Sequence, residues 1–287
     1  MDIFVQLFLN SIIAGSIYMV ISLGWNLIFS TVKFFDIGYG ALIPVGAYSV
    51  FFLSKTLGFP VLPAILLGII VAGLIGSLVD RLVYRNLRKR KASGMISLVA
   101  SLGILTAVQA IIAILFTSQF KTLSSGGGQR TYEIFGGIIT EIQLIILITG
   151  LVISFGLVFL LNKTKFGKAI KAVADDEEVA KIVGIDTNKI IAWVFFIGSG
   201  IAGLAGILVG FDTGIEPIMG LSLLLKGVIA AIIGGVGNIY GGVLGAFLLG
   251  IVENFGIWQI SGEWKDAIAF AVLIIFLVFR PHGILKK

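Results

Sequence analysis

The chain alternates nine long apolar stretches with short polar connections. The apolar stretches fall at about residues 5–29, 34–52, 61–82, 95–117, 143–161, 190–211, 221–235, 241–258 and 266–279. Crossing the hydrocarbon layer as helix takes about 20 apolar residues. The seventh stretch is short, the length of a re-entrant or broken helix. Backbone groups left unpaired in lipid are costly, so the pattern predicts helix throughout, with irregular glycine-rich chain only where protein or water covers it. The predicted fold is an all-α polytopic membrane bundle of about eight to nine spans, some of them Gly-interrupted or re-entrant. Residues 1–287 are expected to form a single transmembrane domain. The first stretch follows Met1-Asp2, not a basic segment, and is too long for a signal core, so it is expected to be retained.

One polar segment, residues 162–189, is patterned rather than merely hydrophilic. Residues 164–174 suit a helix with Lys165, Lys168 and Lys171 along one side and Ile170 and Val173 on another. Asp175 then offers an N-cap with Glu178 three residues later, the spacing of a capping box. Val179, Ile182 and Val183 repeat at helical spacing, and Gly184 suits a left-handed C-terminal cap. The product is a rod about 12 Å long at the standard helical rise. A membrane protein needs such a structured soluble loop when something soluble must grip it.

Charge places the connections. Of 21 Lys plus Arg, one cluster comprises Arg81, Arg85, Arg88, Lys89, Arg90 and Lys91, and a second comprises Lys163, Lys165, Lys168, Lys171, Lys181 and Lys189. Arg280, Lys286 and Lys287 close the chain. Basic residues accumulate on the cytoplasmic side, which puts these three regions inside. Nine crossings then give an outside N-terminus and a cytoplasmic C-terminus. At 58% hydrophobic and 13% charged, with a mean hydropathy of +1.10, the sequence is written for lipid; a soluble domain carries about 25% charged residues. The net charge of +6 follows from this topology and calls for no nucleic-acid partner. There is no cysteine, so no thiolate nucleophile, disulfide or thiolate metal site exists, and no metal centre is expected.

The 38 glycines concentrate inside the apolar stretches. Gly206-x-x-x-Gly210 and Gly237-x-x-x-Gly241-x-x-x-Gly245 have the spacing that lets helices approach closely within a bundle. Two Gly-interrupted stretches, residues 36–48 and 234–246, occupy corresponding regions of the two halves, the arrangement that marks a transporter's pathway. Asp36, Lys226 and Glu253 lie within or beside apolar runs, where an ionised group costs roughly 3 kcal/mol. With Gly38, Gly40 and Gly237 they are the candidate translocation-pathway residues. Lys226 would snorkel to the interface, Glu253 would sit in an internal ion pair or cavity, and Asp36 would cap the second span. Ile37-Gly38-Tyr39-Gly40 resembles the tail of a potassium filter, which makes an ion channel the rival reading. Against it, Asp36 replaces the Thr-Val entry and no pore helix precedes it. The one histidine, His282, is in the tail, which excludes a Ser-His or His-metal enzyme within the bilayer.

Glu178-Val179-Ala180-Lys181-Ile182-Val183-Gly184 resembles the Glu-Ala-Ala-x-x-x-Gly element of ABC-importer permeases, with Val179 in place of the first Ala. Residues 15–24, 35–41, 45–48, 226–245 and the tail Arg280-Pro281-His282-Gly283 extend the likeness over nearly the whole chain. Together they are similar to the inner-membrane permeases of branched-chain amino-acid ABC transporters, of the LivH/LivM type and nearer to LivH in the short tail after Arg280-Pro281. The resemblance implies a multi-pass subunit of the cell inner membrane that is not itself an enzyme. Its partners would be a second permease subunit, identical or not, two cytoplasmic ATPase subunits and an extracytoplasmic solute-binding protein. It implies ATPase coupling through Asp175, Glu178, Ala180, Ile182 and Gly184. No Gly-x-x-x-x-Gly-Lys-Ser/Thr loop is present, so ATP would be used by the partner subunits and this chain would carry no cofactor. Urea and short-amide permeases share the pattern.

Overall fold

The structure, a computed structural model, describes residues 3–124, 130–258, 260–280 and 282–285. Pro281, Lys286 and Lys287, which entered the tail motif and the orientation argument, lie outside the described residues. Among the described residues twelve α-helices follow in order: α1 (Ile3–Val32), α2 (Tyr39–Phe51), α3 (Val61–Val79), α4 (Arg85–Lys89), α5 (Gly94–Phe116), α6 (Glu141–Lys163), α7 (Lys165–Asp175), α8 (Glu177–Ile182), α9 (Thr187–Asp212), α10 (Met219–Gly234), α11 (Ile239–Gly256) and α12 (Lys265–Phe279). A π-helical turn, Asp80–Tyr84, fuses α3 and α4 into one rod, Val61–Lys89.

All nine apolar stretches fall on helices, and six helices among the described residues are long and apolar enough to cross a membrane. The other three stretches give α2, α10 and α12, of 13, 16 and 15 residues. Two of them have a physical limit: the polar entry at Asp36 delays α2, and Gly235 at φ +114° ends α10.

Among the described residues a hairpin departs from helix, β1 (Thr131–Ile134) and β2 (Gly137–Thr140), paired antiparallel with Ile134 opposite Gly137. Phe135 and Gly136 both have positive φ, +51° and +82°, the geometry of a two-residue turn that follows the natural strand twist. Gln6 completes its edge. The Gln6 amide accepts from the Ile138 N–H at 2.8 Å and donates to the Ile138 carbonyl at 3.1 Å.

The described chain forms two compact units that interleave in sequence. The unit of residues 27–124 and 156–224 is built on α2, α3 and α9, which approach backbone to backbone. A Cβ on Gly206 would overlap the Ile43 carbonyl, one on Gly46 would overlap the Gly203 backbone, and one on Gly76 would overlap the Ser199 side chain. Lipid offers no hydrophobic force to hold helices together, so such close packing has to do it. Tyr48, Ala64, Ala72 and Ile207 fill the core around these contacts. Pro44, inside α2, has no N–H for the Gly40 carbonyl, and that carbonyl faces the backbone of Gly220.

The unit of residues 1–26, 125–155 and 225–287 follows the same rule. A Cβ on Gly245 would overlap the Ala230 carbonyl, and one on Gly234 the Gly241 carbonyl, so Gly241 and Gly245 join α10 to α11. Gly15 of α1 packs on Phe247 of α11. The tail closes over the end of α10, where the Ile284 and Leu285 amides donate to the Ile233 and Gly234 carbonyls at 2.9 and 3.0 Å.

Candidate functional site

The polar segment is two helices and a stop. Thr164 caps α7, its hydroxyl accepting from the Gly167 N–H at 2.9 Å. Gly167 backs directly onto the Leu160 carbonyl, which allows the sharp turn out of α6. Ile170 and Val173 are buried while Lys165, Lys168 and Lys171 are exposed.

The cap of α8 is Asp176, where the sequence pointed to Asp175. α7 runs one residue further and takes Asp175 into its last turn, so Asp176 is the first residue with the extended backbone an N-cap needs, at φ −151° and ψ 114°. Its carboxylate accepts from the Glu178 and Val179 amides at 2.8 and 3.0 Å. Val179 therefore occupies the third helical position and has no side-chain acceptor to return, so the box is one-sided. Glu177, which sequence reasoning passed over, ties α8 to α9. It accepts from the buried Thr187 hydroxyl at 3.2 Å and pairs with Lys181 at 2.7 Å. The signal available was its spacing of four residues from Lys181.

The far end of α8 is fixed as expected. Gly184 lies at φ +88°, its N–H donating to the Lys181 carbonyl and that of Ile185 to the Ala180 carbonyl, both at 3.0 Å. This pair of bonds is a Schellman stop. Ala180 is buried against the protein, whereas Val179, Ile182 and Val183 are 54%, 84% and 68% exposed. α9 then begins at its own cap, Asp186, which accepts from the Lys189 amide at 3.2 Å. That bond holds the Asp186 carboxyl below the usual carboxylate range.

The candidate pathway residues divide between the two units. Asp36, Gly38 and Gly40 belong to the unit of α2, α3 and α9. Asp36 is buried and accepts from the Tyr84 hydroxyl at 2.6 Å, whereas the N-cap position of α2 is Gly38, with no side-chain cap. Gly38 leaves room for Tyr84, whose hydroxyl would be 2.8 Å from an added Cβ. Tyr84 carried no sequence signal, because its partner is 48 residues away. The Ile37 and Gly38 carbonyls accept from the Gly40 and Ala41 amides, both at 3.0 Å. A potassium filter needs those carbonyls aimed at a pore; here they are spent on the first turn of α2, which removes the channel reading.

Lys226, Gly237 and Glu253 belong to the other unit. Glu253 is fully buried and accepts from the Tyr18 hydroxyl at 2.5 Å. Lys226 Nζ lies 3.7 Å from Glu253 and 3.0 Å from Asp266, and 5.8 Å from the centre of the Tyr18 ring. Lys226 is thus paired rather than simply snorkelling. Gly237 stands apart from that cluster. Its φ is +81°, nothing crowds an added Cβ, and its N–H donates to Asn26 at 2.9 Å.

Residues 7–277 match the family described as branched-chain amino acid transport system, permease component. The chain belongs to this family. It is 31% identical to the permease protein BraD of Pseudomonas aeruginosa over 299 residues, covering 99% of this chain and 96% of that protein. It is 30% identical to the permease protein LivH of Escherichia coli K12 over 99% of this chain and 96% of that protein. Among solved structures, PsaBC from Streptococcus pneumoniae in complex with Fab shares the fold, with a TM-score of 0.52 and 13% identity over 98% of this chain and 93% of the other. The permease is a membrane-embedded transport subunit that works with other components of an ABC importer.

Proposed function

We propose that this permease translocates branched-chain amino acids, or closely related small polar solutes, delivered by an extracytoplasmic solute-binding protein. Its full-length relatives BraD and LivH, named as branched-chain amino acid permeases, support that solute class. The carrying observation is α8, capped by Asp176, stopped at Gly184, and presenting Val179, Ile182 and Val183 to the outside. A capped rod with an exposed apolar face is suited to a groove on a partner.

In this reading residues 1–287 act as one permease domain, and residues 162–189 are its cytoplasmic coupling segment, gripped by one of two ATPase subunits. Glu178, Ala180, Ile182 and Gly184 carry the coupling, with Asp176 as the cap and Asp175 as the last residue before it. A second permease subunit completes the pathway. ATP is used by the partner subunits, and this chain supplies no nucleotide site or cofactor. The subunit crosses the cell inner membrane nine times, with α2, α10 and α12 completing the six long spans, N-terminus outside and C-terminus inside. Asp36, Gly38, Gly40, Lys226, Gly237 and Glu253 flank the pathway. The test is ATP-driven leucine uptake by the reconstituted complex. A Glu178→Ala, Ile182→Asp variant should keep its membrane abundance and lose coupled uptake and ATPase stimulation; normal uptake would overturn the docking assignment.

A further inference from the structure

A cavity of about 390 Å³ opens between the C-terminal end of α3 with its π-helical turn and the first turns of α9. Ser77, Arg81, Arg85, Asp186, Asn188 and Lys189 line it. Both elements belong to the same compact unit, and the Ser77 hydroxyl ties them by donating to the Ala192 carbonyl at 3.0 Å.

The charges in this cavity do not cancel. Asp80, which also lines it, pairs with Arg88 at 2.8 Å, and Asp186 with Lys189 at 3.2 Å. Arg81 and Arg85 are left with no carboxylate at ion-pair distance among the described residues. Arg85 Nε is buried with no hydrogen-bond acceptor. A guanidinium N–H removed from water without an acceptor is costly, and its fork matches the oxygens of a phosphate. An anionic occupant would give the buried Arg85 N–H an acceptor and would pair with the exposed Arg81 beside it.

The surroundings say which anion. Leu74, Leu78 and Leu82 are exposed at four-residue spacing along the rod that carries Arg81 and Arg85, ending level with them. Trp193, next to the lining residue Ala192, is exposed on α9, and tryptophan at a span end marks the membrane interface. The cavity therefore lies where lipid-facing surface turns polar, on the basic side of the chain. Basic pockets in that position suit lipid headgroups. We propose that this cavity binds the phosphodiester of an anionic phospholipid, Arg81 and Arg85 donating to its oxygens while an acyl chain lies along Leu74, Leu78 and Leu82.

The full chain, purified from membranes in mild detergent, should retain phosphatidylglycerol in native mass spectrometry. An Arg81→Gln, Arg85→Gln variant should bind it at least tenfold more weakly. An Arg90→Gln, Lys91→Gln variant, which removes the same charge outside the cavity, should bind as the wild type does. Equal affinity in both variants would overturn the proposal. The wild type alone gives a second measurement that needs no variant to fold. Phosphatidylglycerol should raise its unfolding midpoint where phosphatidylcholine of the same chains does not. Equal shifts from the two lipids, or an equal shift from inorganic phosphate alone, would refute a lipid site. Loss of ATPase copurification in the Arg81, Arg85 variant with phosphatidylglycerol binding unchanged would assign these arginines to a protein partner instead.

Discussion

Replacing Gly184 by valine should uncouple this permease without emptying the membrane of it. Nothing lies within 4 Å of an added Cβ at Gly184, so crowding contributes nothing, and the whole effect must come from the backbone at φ +88°. Holding an L-residue in that region costs about 1–2 kcal/mol, more for a β-branched one. The alternative is to surrender the two 3.0 Å bonds from Gly184 and Ile185 that stop α8. A helix of 6 residues has little of its own to set against such a loss. At 1.4 kcal/mol per decade, the docked geometry should fall roughly fivefold to thirtyfold in population. The assay is uptake per ATP hydrolysed by the reconstituted complex, across Gly184→Asn, Gly184→Ala and Gly184→Val. Asparagine tolerates positive φ and alanine does not, so activity should rank Asn above Ala above Val although Asn is larger than Ala. A ranking by side-chain volume, with Asn below Ala, would refute the conformational argument.

Tyr84→Phe removes the donor to buried Asp36 and should lower stability by about 1.5–3 kcal/mol, read as a fall in the unfolding midpoint in detergent; an unchanged midpoint would mean that the contact contributes nothing. Lys226→Met strands the buried Glu253 and should cost about 3–5 kcal/mol, most of it recovered by adding Glu253→Gln. Equal stability of the single and double variants would count against a coupled pair. The cysteine-free chain permits a clean topology test with single cysteines at Ser93, Ser124, Ile182 and Ser261. An impermeant reagent added outside should label Ser124 and Ser261 only, and labelling of Ile182 would invert the orientation. Thr187 is 1% exposed and would be a poor reporter.

Elements that depend on local pattern were legible in the sequence. The nine apolar runs became helices, and Gly184 became the stop of α8, because a left-handed residue after a periodic run has few other uses. The cap slipped by one residue, from Asp175 to Asp176, since two adjacent aspartates cap equally well and the length of α7 decides between them. The hairpin at residues 131–140 was missed because the whole chain was read for lipid, and lipid forbids an open strand edge. Its edge is met by Gln6, more than a hundred residues earlier. Partners such as Tyr84 for Asp36 and Tyr18 for Glu253 depend on how distant helices pack, and no spacing rule encodes them.

The glycine contacts among α2, α3 and α9 have a mechanical consequence. Where backbone rests on backbone, as at Gly46 on Gly203 and Gly206 on Ile43, there are no rotamers to yield under load. These three helices should therefore transmit displacement as a stiff block. α8 is joined to α9 by residues 183–186 and clamped to it by Glu177 on Thr187. A push on α8 would arrive at the block almost undiminished, like force on a short crank. Compliance must lie elsewhere, and the π-helical turns at Phe52–Thr56 and Asp80–Tyr84, set at the ends of two of the three rods, are where such a block can flex.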